Sequence, residues 1–324
     1  MNREITSITL LYSIMQFNEY LKTCRTGNTL TQEELVHALY SFDTGHFKGL
    51  DTTTLSKWER GITKPKLAKQ VSIIKYFQTL TDIALPCFDD HSEEEIEESI
   101  CKVGMQNIIT DSKSKQIILD FPSDSMLLDD FRIYQLKNTT MLNKVLNINT
   151  YLDKDFNQNF TQLETEDFKK WAFMPGNLFL VCEYANEPTG LLFILKLKPE
   201  AFKKIINGEI MERELIEEDF ALPDEVGSSY IISFFALNKK AASMLFVRYY
   251  AHLISHQHTI EEVGVATFME DAQKLIENIN LPYHTSCIIE DNRELQFYKA
   301  SLSSFLATQS VIKMILTKQS CKEE

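Results

Sequence analysis

The sequence predicts a two-part protein: an all-α head followed by a larger α/β domain with a mixed central sheet. Three observations predict this fold class. Apolar residues recur at helical spacing through residues 13–79, and the pattern breaks over residues 82–115, where polar and acidic residues dominate. Beyond residue 116, strand-like apolar runs alternate with helical segments. The predicted boundaries are 1–81 for the head, 82–115 for an acidic linker and 116–324 for the α/β domain.

Composition places the chain among globular proteins. It has 324 residues, 44% of them hydrophobic, which is enough to bury the cores of two domains. No apolar run reaches the ~20 residues of a membrane helix, and the N-terminus lacks the layout of a signal peptide, so we expect a cytoplasmic protein with no membrane partner. The six cysteines are far apart and form no Cys-x-x-Cys pair, which predicts reduced thiols.

Charge is distributed unevenly between the two predicted parts. The formal net charge is -13, which by itself argues against binding to the phosphate backbone of a nucleic acid. Residues 1–80, however, carry ten Lys and Arg against seven Asp and Glu, whereas the remainder carries 23 against 39. This asymmetry is typical of a DNA-binding head on an acidic body.

Four helices are predicted in the head, and the signals at their ends are the most specific. Thr31 and Glu34 form a capping box, in which each side chain can accept a hydrogen bond from the backbone amide of the other. Asp51 can cap the next helix, and Gly61 supplies a left-handed stop after it. The fourth helix carries a stripe of apolar residues on one face: Leu67, Val71, Ile74 and Phe77.

The head contains a set of polar, basic and apolar residues in a distinctive order. It comprises Arg25, Thr31-Gln32-Glu33-Glu34-Leu35, Thr52-Thr53-Thr54-Leu55-Ser56-Lys57-Trp58-Glu59-Arg60-Gly61 and Lys64-Pro65. Through this set, residues 18–78 resemble the lambda-repressor-like (XRE) helix-turn-helix family. The resemblance implies double-stranded DNA as a partner, a third helix in the major groove and binding as a homodimer.

The resemblance also implies which side chains face DNA. They lie opposite Leu55 and Trp58 on the third helix, where hydroxyl and ammonium groups can reach base edges. These are Thr52, Thr53, Ser56 and Lys57, with Arg60 further along. Gln32 would offer its amide to a phosphate at the start of the second helix. Lys64 and Lys66, with Lys69, would bind the phosphate backbone, and a basic solvated helix end is the alternative interpretation.

Two structural features of the head follow from the same comparison. Arg25 and Glu59 are the positions of a semi-buried ion pair that, in the family, ties the first helix to the third. The link between the second and third helices, residues 41–50, is roughly nine residues longer than the tight turn of the family. His46 and Lys48 on this link could reach phosphate, and a surface insertion is an equal alternative.

The body is predicted to contain alternating strands and helices around a central sheet. The predicted strands cover residues 177–184, 191–197, 230–237, 262–268 and 311–316. The predicted helices cover residues 199–206, 241–255 and 271–280.

The strand-to-helix junction at residues 230–245 carries a second resemblance. Its sequence, Tyr230-Ile-Ile-Ser-Phe-Phe-Ala-Leu-Asn-Lys-Lys-Ala-Ala-Ser-Met-Leu245, and the order of elements around it are similar to the GNAT acetyltransferase superfamily. In active members, glycine amides at this junction cradle the pyrophosphate of acetyl-CoA. The matching positions here are Asn238, Ala241 and Ser243, beside Lys239 and Lys240. None is glycine, so acetyl-CoA or another acyl-CoA is a candidate cofactor without the usual cradle.

Candidates for chemistry in the body are few. Tyr298 matches the position at which the GNAT family often places its general acid, and a tyrosine that merely packs is the alternative. We assign no catalytic residue. His252 and His256 share a helical face with His258 nearby, but no third ligand of defined geometry follows in the sequence, and we assign no metal site.

The sequence therefore predicts a sequence-specific DNA-binding transcriptional regulator. Its GNAT-like body would sense a small-molecule ligand or dimerise rather than catalyse. Two alternatives stay open at this point: an active acetyl-CoA-dependent N-acetyltransferase carrying a DNA-binding head, and a repressor whose body is solely a protein-interaction surface.

Overall fold

The computed structural model describes residues 15–81, 83–88, 91–109, 117–119, 126–127, 130–136, 143–147, 163–289 and 292–316. The last part of the predicted linker, residues 110–115, and one of the six cysteines, Cys321, lie outside these residues. Within them, a helical N-terminal region precedes a domain with a mixed sheet, which confirms the predicted fold class. No helix in the described part of the chain is both long and apolar enough to cross a membrane.

The described residues of the head form five helices. They are α1 (Phe17–Gly27), α2 (Gln32–Phe42), α3 (Thr44–Phe47), α4 (Thr52–Glu59) and α5 (Leu67–Gln78). The predicted capping box is present, since the Thr31 hydroxyl accepts from the Glu34 amide at 3.2 Å and the Glu34 carboxylate accepts from the Thr31 amide at 2.7 Å. Asp51 caps α4 by accepting from the Thr54 amide at 2.6 Å, and Gly61 has a φ of 68°. The predicted helix ends are therefore confirmed.

The long link between α2 and α4 is packed into the head. It contains the short helix α3, whose Phe47 is fully buried. The Asp43 carboxylate accepts from the Ser72 hydroxyl at 2.7 Å and from the His46 amide at 3.0 Å, and these bonds lower its pKa to about 2. His46 and Lys48 are exposed. The insertion is thus anchored to α5 while its basic residues face solvent.

Where its residues are described, the body is built around a sheet of seven strands. Its elements are α6 (Glu93–Asn107), β1 (Phe131–Gln135), α7 (Thr165–Ala172), β2 (Leu178–Tyr184), β3 (Glu187–Leu197), α8 (Pro199–Ile206), β4 (Gly227–Ala236), α9 (Lys239–Ser255), β5 (Ile260–Thr267), α10 (Glu270–Asn278), β6 (Tyr283–Ile288), β7 (Glu294–Ser301), α11 (Leu302–Leu306) and α12 (Gln309–Leu316). The strand order is β1-β2-β3-β4-β5-β7-β6. Among these strands, β4 and β5 are paired in parallel and every other adjacent pair is antiparallel.

One predicted strand is wrong. Residues 311–316 form most of helix α12 and not a strand. The run is continuously apolar, and such a run does not distinguish a buried strand from a helix that is buried on several sides. Strands β1, β6 and β7 were not predicted, whereas β2 to β5 lie where the sequence places strands.

Two apolar cores lie on the two faces of the sheet. The first joins α6, α9, α11 and α12 to one face, and the second joins α7 and α8 to the other. The buried apolar side chains of the head belong to the first core, so head and body share one continuous apolar interior. Two hydrogen bonds cross the same boundary, from Gln78 Nε2 to the Ser303 carbonyl at 3.0 Å and from Lys64 Nζ to the Leu316 carbonyl at 3.3 Å.

Helix α6 occupies much of the segment for which the sequence predicts an acidic linker. Ser92 caps it by accepting from the Glu95 amide at 3.2 Å, and Ile96 and Ile100 are fully buried. A Cβ added at Gly104 would lie 2.6 Å from Val247 Cγ2, so α6 packs closely on α9. The acidic residues face outward or toward Arg248 while the apolar ones enter the core, as in any amphipathic helix. The head is therefore joined to the body through packed structure.

Candidate nucleic-acid interface and domain cleft

Helix α4 presents a polar face to solvent. Leu55 and Trp58 are buried, at 0% and 6% exposure, and they fix which side of the helix points inward. The opposite side carries the exposed residues Thr52, Thr53, Lys57 and Arg60 and the half-buried Ser56. The structure thus brings all five predicted base-facing residues to one accessible surface.

Glu59 is the centre of a hydrogen-bond network at the base of α4. Its side chain is 4% exposed, and it accepts from Arg25 Nε at 2.5 Å, from Arg25 Nη2 at 3.1 Å and from Gln32 Nε2 at 2.7 Å. Arg25 Nη1 also donates to the Leu30 carbonyl at 2.7 Å. The network joins α1, α2 and α4. The side-chain amide of Gln32, which the sequence predicts to contact a phosphate, donates a hydrogen bond to Glu59 in this structure.

The predicted phosphate-binding lysines differ in their surroundings. Lys66 is exposed. Lys64 reaches the Leu316 carbonyl of α12, and partial burial lowers its pKa. Lys69 Nζ lies 5.9 Å from the centre of the Trp58 ring and 6.0 Å from that of Phe47, within cation–π range. Lys66 is therefore directed at solvent, whereas Lys64 and Lys69 also make contacts within the protein.

The N-terminus of α9 is closed by the chain itself. Asn238 accepts from the Ala241 amide at 2.9 Å, and Asn238, Ala241 and Ser243 are all buried. Lys240 Nζ donates to the Met126 carbonyl at 2.8 Å, while Lys239 is exposed. The candidate residues for acyl-CoA binding thus lie together, but one of the amides that would meet a pyrophosphate is already bonded to a side chain.

Beyond the parallel pairing of β4 with β5, a separate segment lies beside the end of β4. The two strands pair from Gly227 to Ile231, with a register shift between Gly227 and Ser229. Further on, Ala236 donates to the Ile117 carbonyl at 2.9 Å and accepts from the Leu119 amide at 2.9 Å. Residues 117–119 therefore pair with β4 along the edge that β5 has left. The Ile117 amide also donates to the Asp271 carboxylate of α10 at 3.2 Å.

A cavity of about 140 Å³ remains between the diverging strands. Its lining is largely apolar and includes Ile117, Phe234, Phe246, Phe268 and Leu275. An apolar cavity of about 150 Å³ accommodates a group the size of benzene. The space is thus suited to a small apolar ligand or an acyl group.

Tyr298 is buried in β7, opposite Val265 of β5. Its hydroxyl donates to Gln296 Oε1 at 2.5 Å, and burial together with nearby acidic groups raises its pKa. Tyr298 does not belong to the described lining of the cavity. Neither Tyr298 nor the candidate residues at the start of α9 are among the described residues that line this cavity.

The sequence did not predict the residues that close the cleft, which is the gap between the ends of β4 and β5. Ile117 and Asp271 are 154 positions apart, and neither belongs to a local motif. A single buried-strand pattern over residues 117–119 is too short to indicate a partner. Sequence periodicity contains no signal for this contact.

Comparison with known proteins gives one curated relative for the head. Over 68 residues, 21% of this chain, the sequence is 38% identical to the HTH-type transcriptional activator BcrR of Enterococcus faecalis. The chain covers 29% of the length of that relative. No protein-family model matches the chain.

Solved structures similar to this chain include two acetyltransferases of the GNAT family. One, from Streptococcus agalactiae 2603, is 8% identical to this chain, with a TM-score of 0.35. The match covers 53% of this chain and 95% of that protein. Another, from Streptococcus pneumoniae, is 11% identical, with a TM-score of 0.32. That match covers 53% of this chain and 98% of the other protein. The C-terminal condensation domain of Ebony in complex with beta-alanyl-dopamine is 9% identical, with a TM-score of 0.35. The match covers 53% of this chain and 98% of that domain.

Proposed function

We propose that this protein is a sequence-specific, DNA-binding transcriptional regulator with an XRE-type head. The observation that carries the proposal is the polar, exposed face of α4 opposite the buried Leu55 and Trp58. A helix that inserts into the major groove needs such a face, held rigidly by a buried one. The 38% identity of the head to a transcriptional activator supports the same function.

The exposed residues divide into two roles. Thr52, Thr53, Ser56 and Lys57 would contact base edges, and Arg60 would reach a base or a phosphate at the end of the helix. Lys66 would bind a phosphate and position the head without reading sequence. The acidic body would repel DNA, so binding would be confined to the cationic head.

A dimer of the chain would place two α4 helices in successive major grooves. Helix-turn-helix dimers bind half-sites about 34–36 Å apart, one turn of the duplex. We infer that the body contributes to this dimer or senses a ligand that alters it. Measurement of the mass of the complex with a palindromic site would test two chains per duplex.

Ligand sensing by the body is supported by the cleft. A molecule entering between β4 and β5 would compete with residues 117–119 for Ala236. That segment follows α6, which packs on α12, and α12 packs on α5 of the head. A ligand that favours displacement of the segment would thereby bias the arrangement of the head.

Catalysis is less well supported by the same geometry. The Asn238 side chain caps α9, and Tyr298 is not among the described residues that line the cavity. Acetyl-CoA added at millimolar concentration should give no turnover of amine substrates. Acetylation at a rate that depends on the protein would favour the alternative, an N-acetyltransferase with a DNA-binding head.

The DNA-binding proposal can be tested with one substitution and a matched control. A duplex selected by the protein from a random pool would be labelled and titrated by fluorescence anisotropy. We expect Lys57→Ala to weaken binding to the selected duplex by about 1–3 kcal/mol, because it removes a base or phosphate contact. Lys203→Ala, an equal change of charge on the exposed face of α8, should leave affinity unchanged. Equal effects of the two substitutions would contradict the proposed interface.

A further inference from the structure

Three potential metal ligands meet where α6 begins and α9 ends. Glu93 comes from the first turn of α6, and His252 and His256 lie one turn apart near the end of α9. Glu93 and His252 are 159 positions apart in the chain. His258 is exposed and lies outside the cluster. The third ligand missing from the histidine pair in the sequence is thus supplied by the other helix.

The distances suit a single metal ion. Glu93 Oε2 lies 3.0 Å from His252 Nδ1 and 3.8 Å from His256 Nδ1, and one ligand atom of each residue lies within 4.8 Å of the other two. Tetrahedral bonds of about 2.0–2.1 Å place ligand atoms roughly 3.3 Å apart. Small side-chain movements would therefore complete a site.

Neighbouring groups orient the three ligands. Arg248 Nε binds Glu93 Oε1 at 3.0 Å, which leaves Oε2 directed at the histidines. His256 Nδ1 lies 3.0 Å from the His252 carbonyl and 2.8 Å from Ser255 Oγ. These two contacts hold the orientation of the His256 ring.

Neighbouring charges also act on the candidate ligands. Burial alone would raise the pKa of Glu93, but the hydrogen bond from His252 and the charges of His252, Arg248 and His256 hold it below its usual value. Burial and the neighbouring His252 lower the pKa of His256.

A cavity of about 340 Å³ opens beside the cluster. Besides the three ligands, its lining includes polar residues from the sheet face and from α9: Gln135, Asn177, Lys196 and Arg248. Three protein ligands with an open position are typical of sites at which the ion also binds water or a small anion. The room for such a fourth ligand is present.

We propose that Glu93, His252 and His256 bind one divalent transition metal ion of the zinc class. Two imidazoles and one carboxylate form a ligand set that suits Zn²⁺ and related ions. The ion would link α6, which leads from the head, to α9 of the body. The proposal is independent of what the cleft between β4 and β5 binds and of whether the head binds DNA.

Titration of the full-length, chelator-treated protein with Co²⁺ tests the proposal, because bound Co²⁺ has visible absorption bands. We expect one Co²⁺ per chain and displacement by Zn²⁺. Glu93→Gln and His252→Asn should each weaken binding by more than about 100-fold, because even changes outside the ligand set cost about 10–100-fold. His258→Asn, a histidine two positions beyond His256, is the matched control and should bind as the wild type does.

Several results would overturn the proposal. They are no Co²⁺ binding by the wild type, binding that persists in both ligand variants, or binding lost in His258→Asn. Strong near-ultraviolet charge-transfer absorption would place the ion on cysteine thiolates and would also overturn it. Circular dichroism of each variant checks folding, and if His252→Asn does not fold, Glu93→Gln, which preserves side-chain shape, decides.

Discussion

Replacement of Arg25 by Met should destabilise the head strongly. The substitution keeps most of the aliphatic volume but removes two hydrogen bonds to the Glu59 carboxylate, at 2.5 and 3.1 Å, and one to the Leu30 carbonyl. Glu59 is then a buried carboxylate, 4% exposed, with Gln32 Nε2 as its remaining side-chain donor at 2.7 Å. Breaking a buried ion pair costs about 3–5 kcal/mol, and the retained Gln32 bond favours the lower end, about 3 kcal/mol.

Urea unfolding measures this loss. The chain has two tryptophans, so a Trp171→Phe background leaves Trp58 beside Glu59 as the fluorescent reporter. The exposed Arg60 provides the control, because Arg60→Met should change the free energy of unfolding by less than about 0.5 kcal/mol. Glu59→Gln and the double variant complete a cycle in which the double loss should be smaller than the sum of the single losses.

The reasoning depends on burial of the pair. An exposed ion pair contributes only about 0–1 kcal/mol. If Arg25→Met costs less than about 1 kcal/mol, or if the two substitutions are additive, Glu59 is not held by Arg25 in the way described, and the link between α1 and α4 has another origin.

Three further predictions concern recognition and packing. Ser56→Ala should weaken binding to the selected duplex by about 1–3 kcal/mol and leave the affinity for random DNA unchanged. Lys66→Ala should weaken binding to both kinds of DNA and flatten the salt dependence of the affinity, as anisotropy at several salt concentrations would show. Gly176→Ala should lower the melting temperature, since the new Cβ would lie 2.2 Å from the Ala221 carbonyl oxygen. Gly27→Ala is the control: its added Cβ would have no atom within 4 Å, and loss of the glycine should raise the free energy of unfolding by about 0.5–1 kcal/mol. Asn177→Leu should cost roughly 1–3 kcal/mol, because it removes the side-chain oxygen that accepts from the Lys196 amide; the Trp171 carbonyl keeps its bond from the Met174 amide. Urea unfolding measures the loss, and an unchanged midpoint would contradict the burial of the Lys196 amide.

The ends of the head helices could be predicted because their signals are local. A capping box needs residues three apart, as in Thr31 and Glu34, and a left-handed stop needs one glycine, Gly61. The succession of β4 and α9 was equally visible, since both lie in one continuous stretch. Residues 311–316 were misread because an apolar run has the same composition whether it enters a core as a strand or as a helix.

The sequence by itself determined the caps, the polar face of α4 and the separation of charge between head and body, since each depends on residues close together in the chain. Only the tertiary structure decided that Gln32 contacts Glu59, that residues 117–119 pair with the end of β4, and that Glu93 faces the two histidines. These contacts join distant residues through the packing of whole helices and strands. Their geometry is fixed by which apolar faces share a core, and no short pattern in the chain specifies that choice.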